Sequence, residues 1–144
     1  MDQLKLLALD ADDLEIISAH VQDAVMQVGA IDYRPAEKRL LIEMNRFVWE
    51  KAGGRLRKHN ERRRAVLHFD RVLSVRSSGV NRAKGQDVLS LLTIGFVEGE
   101  APAGSVELLF AGDAALSIEV ECIEARLTDL GAAWEASSRP THGV

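Results

Sequence analysis

The feature of this sequence that most constrains its fold is a period-two alternation of apolar residues. Leu40, Ile42 and Met44 share one parity and the polar Glu43 and Asn45 the other, and the pattern predicts a long strand that runs through about Trp49. Successive side chains of a strand point to opposite faces, so such a run can bury one face and expose the other. Similar runs at 65–76 and 116–122 predict further strands of one sheet.

Helical spacing is found at two places outside these runs. Leu14, Ile17 and Val21 follow a strand-like segment at 4–9 and predict an N-terminal helix that ends near Ala24. After Cys122 the alternation stops, and an i, i+4, i+7 apolar pattern over 123–130 predicts a short helix. That helix should end at the glycine in position 131.

Together these elements predict a single α+β domain over residues 1–144. An N-terminal strand and helix would precede a mostly antiparallel meander of about six strands, and a short C-terminal helix would follow. The patterns leave open whether the sheet is flat or barrel-like. Residues 51–63, with paired glycines and dense positive charge, are predicted to form a flexible basic loop. The polar residues 132–144 are predicted to form a frayed tail.

Positive charge is concentrated in the middle of the chain. Residues 46–84 contain twelve of the 18 Lys and Arg residues and only three acids, so this window carries +9 and the remainder −13. Clustered cations create a potential that attracts negative partners. The residues proposed to bind an anionic partner are Arg55, Arg57, Lys58, Arg62, Arg63 and Arg64. The alternative is a solvated loop with no specific partner.

Three partners suit such a surface: an acidic protein, a second copy of the chain, or nucleic acid. Glu119 and Glu121 share one strand face and are candidates for the acidic side of a self-contact. Closed dimers are the commonest oligomers, so a homodimer is expected. Aromatic residues that could stack on bases are absent between Lys51 and Arg64, which argues against single-strand recognition.

His68 and Asp70 are the one pair that suggests catalysis. They lie two apart on a predicted strand, so both side chains project from one face, and a carboxylate can orient an imidazole as a general base. A nucleophile and an oxyanion donor are missing from the pattern. The histidines lack metal-ligand spacing, and residues 79–85 do not match a phosphate loop, so neither a metal nor a cofactor is expected.

The remaining bulk properties indicate a cytoplasmic protein. No apolar run approaches the twenty residues needed to span a membrane, and the first residues lack the pattern of a secretory signal. The single cysteine, Cys122, cannot form an internal disulfide, which fits a reducing compartment.

Two stretches resemble a known family. They are residues 118–131, followed by Trp134 and 139–142, and residues 62–67 with Phe69. The chain is similar there to an uncharacterised family of small single-domain proteobacterial proteins, a domain of unknown function. The resemblance implies a cytoplasmic bacterial protein and brings no active site or ligand with it.

The leading hypothesis is therefore a non-enzymatic interaction module that presents the basic loop to an anionic partner. The alternative is a small hydrolase or transferase of unrecognised type that uses His68 and Asp70.

Overall fold

The structure is a computed structural model that describes residues 3–131, without the side chains at positions 51, 52, 59 and 60. Ten strands and one α-helix make up this part of the chain. They are β1 (Lys5–Ala8), α1 (Ala11–His20), β2 (Val25–Gln27), β3 (Ile31–Arg34), β4 (Arg39–Ala52), β5 (Arg55–Phe69), β6 (Val72–Ser78), β7 (Val88–Glu98), β8 (Gly104–Phe110), β9 (Ala114–Val120) and β10 (Ala125–Asp129). Single turns of 3-10 helix precede and follow β3, at Val28–Ala30 and Pro35–Glu37.

Helix α1 begins at a side-chain cap. The Asp10 carboxylate accepts a hydrogen bond from the Asp13 amide at 2.8 Å, and acids occupy the first turn, where the helix dipole favours them. Leu14 and Ile17 are buried. This apolar stripe confirms the expected N-terminal helix, although the helix ends at His20 rather than near Ala24.

All recorded strand pairs are antiparallel, and they form one sheet in the order β1-β10-β5-β4-β2-β7-β8-β9-β6. Strand β4 is long enough to pair along one edge with both β3 and β2, through Ile42 and Asn45 respectively. The sheet is open, with β1 and β6 at its ends. Its inner face carries the core, in which Ile42, Leu67 and Leu108 have no accessible surface.

The predicted fold class is wrong in two respects. The described residues form ten strands rather than about six, and their order is not a meander, because β10 lies between β1 and β5. The predicted C-terminal helix is strand β10, in which Ala125, Leu127 and Asp129 alternate inward. Leu127 fits the helical spacing with Ile123 and Leu130, and it also fits the strand spacing with Ala125 and Asp129. Pairing with β1 on one edge and with β5 on the other favours the strand.

The loop predicted at 51–63 is also wrong for most of its length. Strand β4 continues to Ala52 and β5 starts at Arg55, so only Gly53 and Gly54 form the turn. Their φ values of 60° and 80° are those of a two-residue hairpin turn whose twist matches the flanking strands. Charged side chains are compatible with a strand when they point into solvent, so charge density alone did not indicate a loop. The tail predicted at 132–144 lies outside the described residues.

Candidate functional site

The hairpin of β4 and β5 extends beyond its neighbours in the sheet. Strand β2 pairs with β4 at Asn45, and β10 pairs with β5 no further than Ala65. Beyond the pair Arg46–Arg63, toward the turn, β4 and β5 pair only with each other among the described residues. We call residues 46–64 the basic ribbon.

A bulge shapes the outer half of the basic ribbon. Between the pairs Phe47–Arg62 and Trp49–Lys58, one residue of β4 faces three residues of β5. Lys58 and Arg62 consequently both contact the Phe47 ring: the Lys58 ammonium lies 4.3 Å and the Arg62 guanidinium carbon 4.9 Å from its centroid. Cation–π attraction therefore holds two cations side by side on one aromatic ring.

Five of the six predicted site residues are exposed on this ribbon. They are Arg55, Arg57, Lys58, Arg62 and Arg64. Lys58 also lies 3.4 Å from Asp23, and Arg64 lies 3.1 Å from Glu43. Both ion pairs are solvent-exposed, so they are weak and leave the cations able to meet a partner.

The sixth residue, Arg63, is buried, with 3% of its surface accessible. Its Nη1 lies 3.4 Å from Asp129 and its Nη2 lies 3.4 Å from Glu61. Arg46 donates two hydrogen bonds to the same Asp129 carboxylate, at 2.8 and 2.9 Å. We call Arg46, Glu61, Arg63 and Asp129 the buried charge cluster.

The buried charge cluster connects the base of the basic ribbon to the sheet. Arg46 is on β4, Arg63 on β5 and Asp129 on β10, and the Asp129 carboxylate also accepts the Leu4 amide at 2.8 Å. Burial acts to raise the pKa of Asp129, but the hydrogen bonds from Arg46 and Leu4 outweigh it, so the pKa lies below 3.8. The carboxylate is therefore ionised at neutral pH, where it pairs with both guanidinium groups.

The sequence contains a signal for this cluster in the parity of its two arginines. Arg46 continues the inward parity of Ile42 and Met44, and Arg63 continues that of Ala65 and Leu67. A charged residue on the buried parity of a strand needs a partner of opposite charge.

His68 and Asp70 do meet, with His68 Nε2 3.3 Å from Asp70 Oδ1. Asp70 also accepts from Arg39 Nε at 3.1 Å and from Arg126 Nη2 at 3.4 Å. Burial lowers the pKa of His68, and the nearby Arg126 and Arg39 lower it further, although Asp70 opposes them. The imidazole is therefore mainly neutral at pH 7.

An open groove of about 400 Å³ lies beside this pair. Lys38, Arg71 and Glu124 line it with Arg39 and Asp70, so it is polar. Within the groove Arg39 pairs with Asp70 and Arg71 with Glu124, while Lys38 pairs with the neighbouring Glu121. Within residues 3–131, no three His, Cys, Asp or Glu side chains come together in a way that could hold a metal ion.

Glu119 and Glu121, the candidates for the acidic side of a self-contact, differ in their surroundings. Glu121 pairs with Lys38 at 2.6 Å and approaches Arg71 at 3.9 Å, so its charge is already compensated. Glu119 is half-buried on β9, opposite Ser105 of β8.

Fold and site together define a small protein that is built on one antiparallel sheet and exposes the basic ribbon. The chain belongs to the family described as protein of unknown function DUF2948, whose profile matches residues 4–142. The expectation that the chain belongs to an uncharacterised family is thus confirmed, and the match covers nearly the whole chain. No curated protein and no solved structure matches the chain. In the described part of the chain, no helix is long and apolar enough to cross a membrane.

Proposed function

We propose that this protein is a non-enzymatic interaction module whose working surface is the basic ribbon. The observation that carries the proposal is the projection of exposed cations on a hairpin that extends past its neighbouring strands. Residues 46–64 include eight Lys or Arg and only two acids. Such a surface attracts anionic partners over a distance of about one Debye length, roughly 8 Å at physiological salt.

Preorganisation supports the same proposal. The Phe47 ring holds Lys58 and Arg62 close together before any partner arrives, and Trp49 donates a hydrogen bond from its indole to the Gln22 carbonyl at 3.3 Å. Long cationic side chains lose rotamer freedom when they bind, and a contact that already restricts them reduces this loss. The buried charge cluster fixes the direction of the ribbon at its base.

The partner is an acidic protein surface, a second copy of the chain, or nucleic acid. A two-stranded ribbon is narrow enough to enter the major groove of a duplex, and its arginines could contact phosphates there. A second copy could instead offer the acidic residues outside the 46–84 window, which give the remainder of the chain −13. Self-contact of this kind would produce a closed dimer. We expect the protein to work in the bacterial cytoplasm.

A panel of three probes tests the proposal and ranks the partners. The probes are a random-sequence DNA duplex, a poly-glutamate peptide and the protein itself, the last followed by light scattering at low salt. Binding to at least one probe that weakens as salt rises is expected, since counterions compete for the ribbon. Absence of binding to all three at low salt would contradict the proposal.

A second candidate function is a small hydrolase or transferase that uses His68 and Asp70. Its support is the neutral imidazole held by a carboxylate beside an open groove. Asp70, however, is also engaged by Arg39 and Arg126, and the groove charges are already paired. A screen of ester and phosphoester substrates with wild type and His68→Gln would detect this activity as turnover that the variant lacks.

A further inference from the structure

A cavity of about 240 Å³ lies between β3 and β6. These two strands are not paired with each other; instead, the Tyr33 hydroxyl donates a hydrogen bond across the gap to the Leu73 carbonyl at 3.2 Å. Ile31, Val75 and Leu116 contribute apolar walls to the cavity. It is remote in sequence from the basic ribbon, and its lining shares no residue with it.

The loop after β6 covers one side of this cavity and is fixed at both ends. At its start, Gly79 has φ +68°, and a Cβ there would lie 2.5 Å from the Asp113 carbonyl oxygen. At its end, the Gly85 carbonyl accepts the Gly29 amide at 2.8 Å. Only glycine suits the first contact, because both the backbone conformation and the space exclude a side chain.

The middle of the loop is an ordered turn. The Asn81 side chain accepts the Ala83 amide at 3.1 Å, and the Asn81 carbonyl accepts the Lys84 amide at 3.0 Å. Arg82 is held within this turn and lines the cavity with Val80. The loop backbone thus fixes the point from which the Arg82 side chain extends.

Arg82 has no carboxylate within 4.0 Å among the described residues. A guanidinium without a paired carboxylate, at the edge of a cavity with both polar and apolar walls, is complementary to a ligand with an anionic head and an apolar body. Arginine suits a carboxylate in particular, because its planar fork can donate two parallel hydrogen bonds. A phosphate dianion would require more cations than the cavity lining provides.

We propose that this cavity binds a small monocarboxylate with an apolar body. The carboxylate would lie on Arg82, with the Ser77 hydroxyl as a second donor, and the body would pack against Val75 and Leu116. Hexanoate, with one carboxylate and a five-carbon chain, is a probe of this ligand class. The site is small by the standard of drug-binding pockets, so a short ligand is expected.

Titration of the ¹⁵N-labelled protein with hexanoate tests the proposal. Saturable shifts are expected for the amides of Gly29, Val75 and Val80, which surround the cavity. Hexanamide has the same shape without the charge, and it should bind about tenfold more weakly, as expected when a charge-assisted hydrogen bond is lost. Hexylammonium should not bind.

Two variants distinguish the Arg82 contact from a general effect of charge. Arg82→Met should weaken hexanoate about tenfold and leave hexanamide unchanged. Arg76→Met is the matched control, because Arg76 is also exposed but alternates away from the cavity-lining Val75 and Ser77 on β6. It should bind hexanoate like wild type.

Three results would overturn the proposal. They are the absence of saturable shifts up to about 10 mM hexanoate, a concentration that would nearly saturate a site with a Kd of about 1 mM; shifts located away from the cavity; and equal binding of hexanoate and hexanamide. None of them would affect the basic ribbon, whose partners are tested separately.

Discussion

Replacing Asp129 with Asn should destabilise the protein strongly. The Asp129 carboxylate accepts from Arg46 at 2.8 and 2.9 Å and from the Leu4 amide at 2.8 Å, and it lies 3.4 Å from Arg63. Asparagine keeps the shape but removes the negative charge, so the buried guanidinium groups of Arg46 and Arg63 lose the carboxylate that they share. Breaking a buried ion pair from one side costs about 3–5 kcal/mol. That is a large part of the ~5–15 kcal/mol by which domains are stable.

Denaturant unfolding measures this loss, and thermal unfolding should show a midpoint lower by about 10 °C at roughly 3 °C per kcal/mol for a chain of this size. Glu43→Gln is the matched control: Glu43 pairs with Arg64 at 3.1 Å, but both side chains are about half exposed. That exposed pair should contribute less than ~1 kcal/mol. If Asp129→Asn cost no more than Glu43→Gln, the buried charge cluster would not be holding β4, β5 and β10 together.

The same carboxylate gives a pH dependence with a defined sign. The pKa of Asp129 is lower in the folded protein than its usual 3.8. Its contribution to the free energy of unfolding is therefore present at pH values above the pKa in the unfolded chain, and it is lost as pH falls through the pKa in the folded protein. Unfolding free energy measured between neutral pH and about pH 3 should therefore fall more steeply for wild type than for Asp129→Asn. Identical slopes would show that this carboxylate is not the group responsible.

Two further predictions concern local electrostatics and backbone conformation. Arg126→Gln removes a positive charge beside His68, so the His68 pKa should rise toward 6.5 in an NMR titration; a constant or lower pKa would contradict the assigned cause. Gly79→Ala should lower the free energy of unfolding by roughly 3 kcal/mol, and Gly53→Ala should lower it by roughly 1 kcal/mol. Both glycines have positive φ, but of the two only Gly79 faces a backbone oxygen. Equal losses in denaturant unfolding would refute the packing argument.

The strands with clear alternation could be predicted from the sequence, and the rest of the sheet could not. Strands β8 and β9 bury alternate residues along their whole length, and their alternation is visible in the sequence. Strand β10 was mistaken for a helix because Leu127 fits both periods over a short run. Its pairing with β1 joins residues more than a hundred positions apart, and its pairing with β5 joins residues more than fifty positions apart. No local pattern records either pairing.

The site was predictable only in part. The cations of the ribbon are evident in the sequence, but their polarity hid the strands that carry them. The burial of Arg63 follows from its parity with Ala65 and Leu67, which a strand assignment through residue 63 would have revealed. The contact of Lys58 and Arg62 with one Phe47 ring depends on a bulge, and bulges leave no local pattern of apolar residues to recognise.

The most direct test of the central claim compares two variants with equal loss of charge. One replaces Arg55, Arg57 and Arg62 of the basic ribbon with Ser; the other replaces Lys5, Arg76 and Lys84, which are exposed elsewhere. Each protein is used to capture partners from the native cell extract at low and high salt. If the basic ribbon is the working surface, the first variant loses the salt-sensitive partner and the second retains it. Equal capture by both variants and wild type would contradict the account.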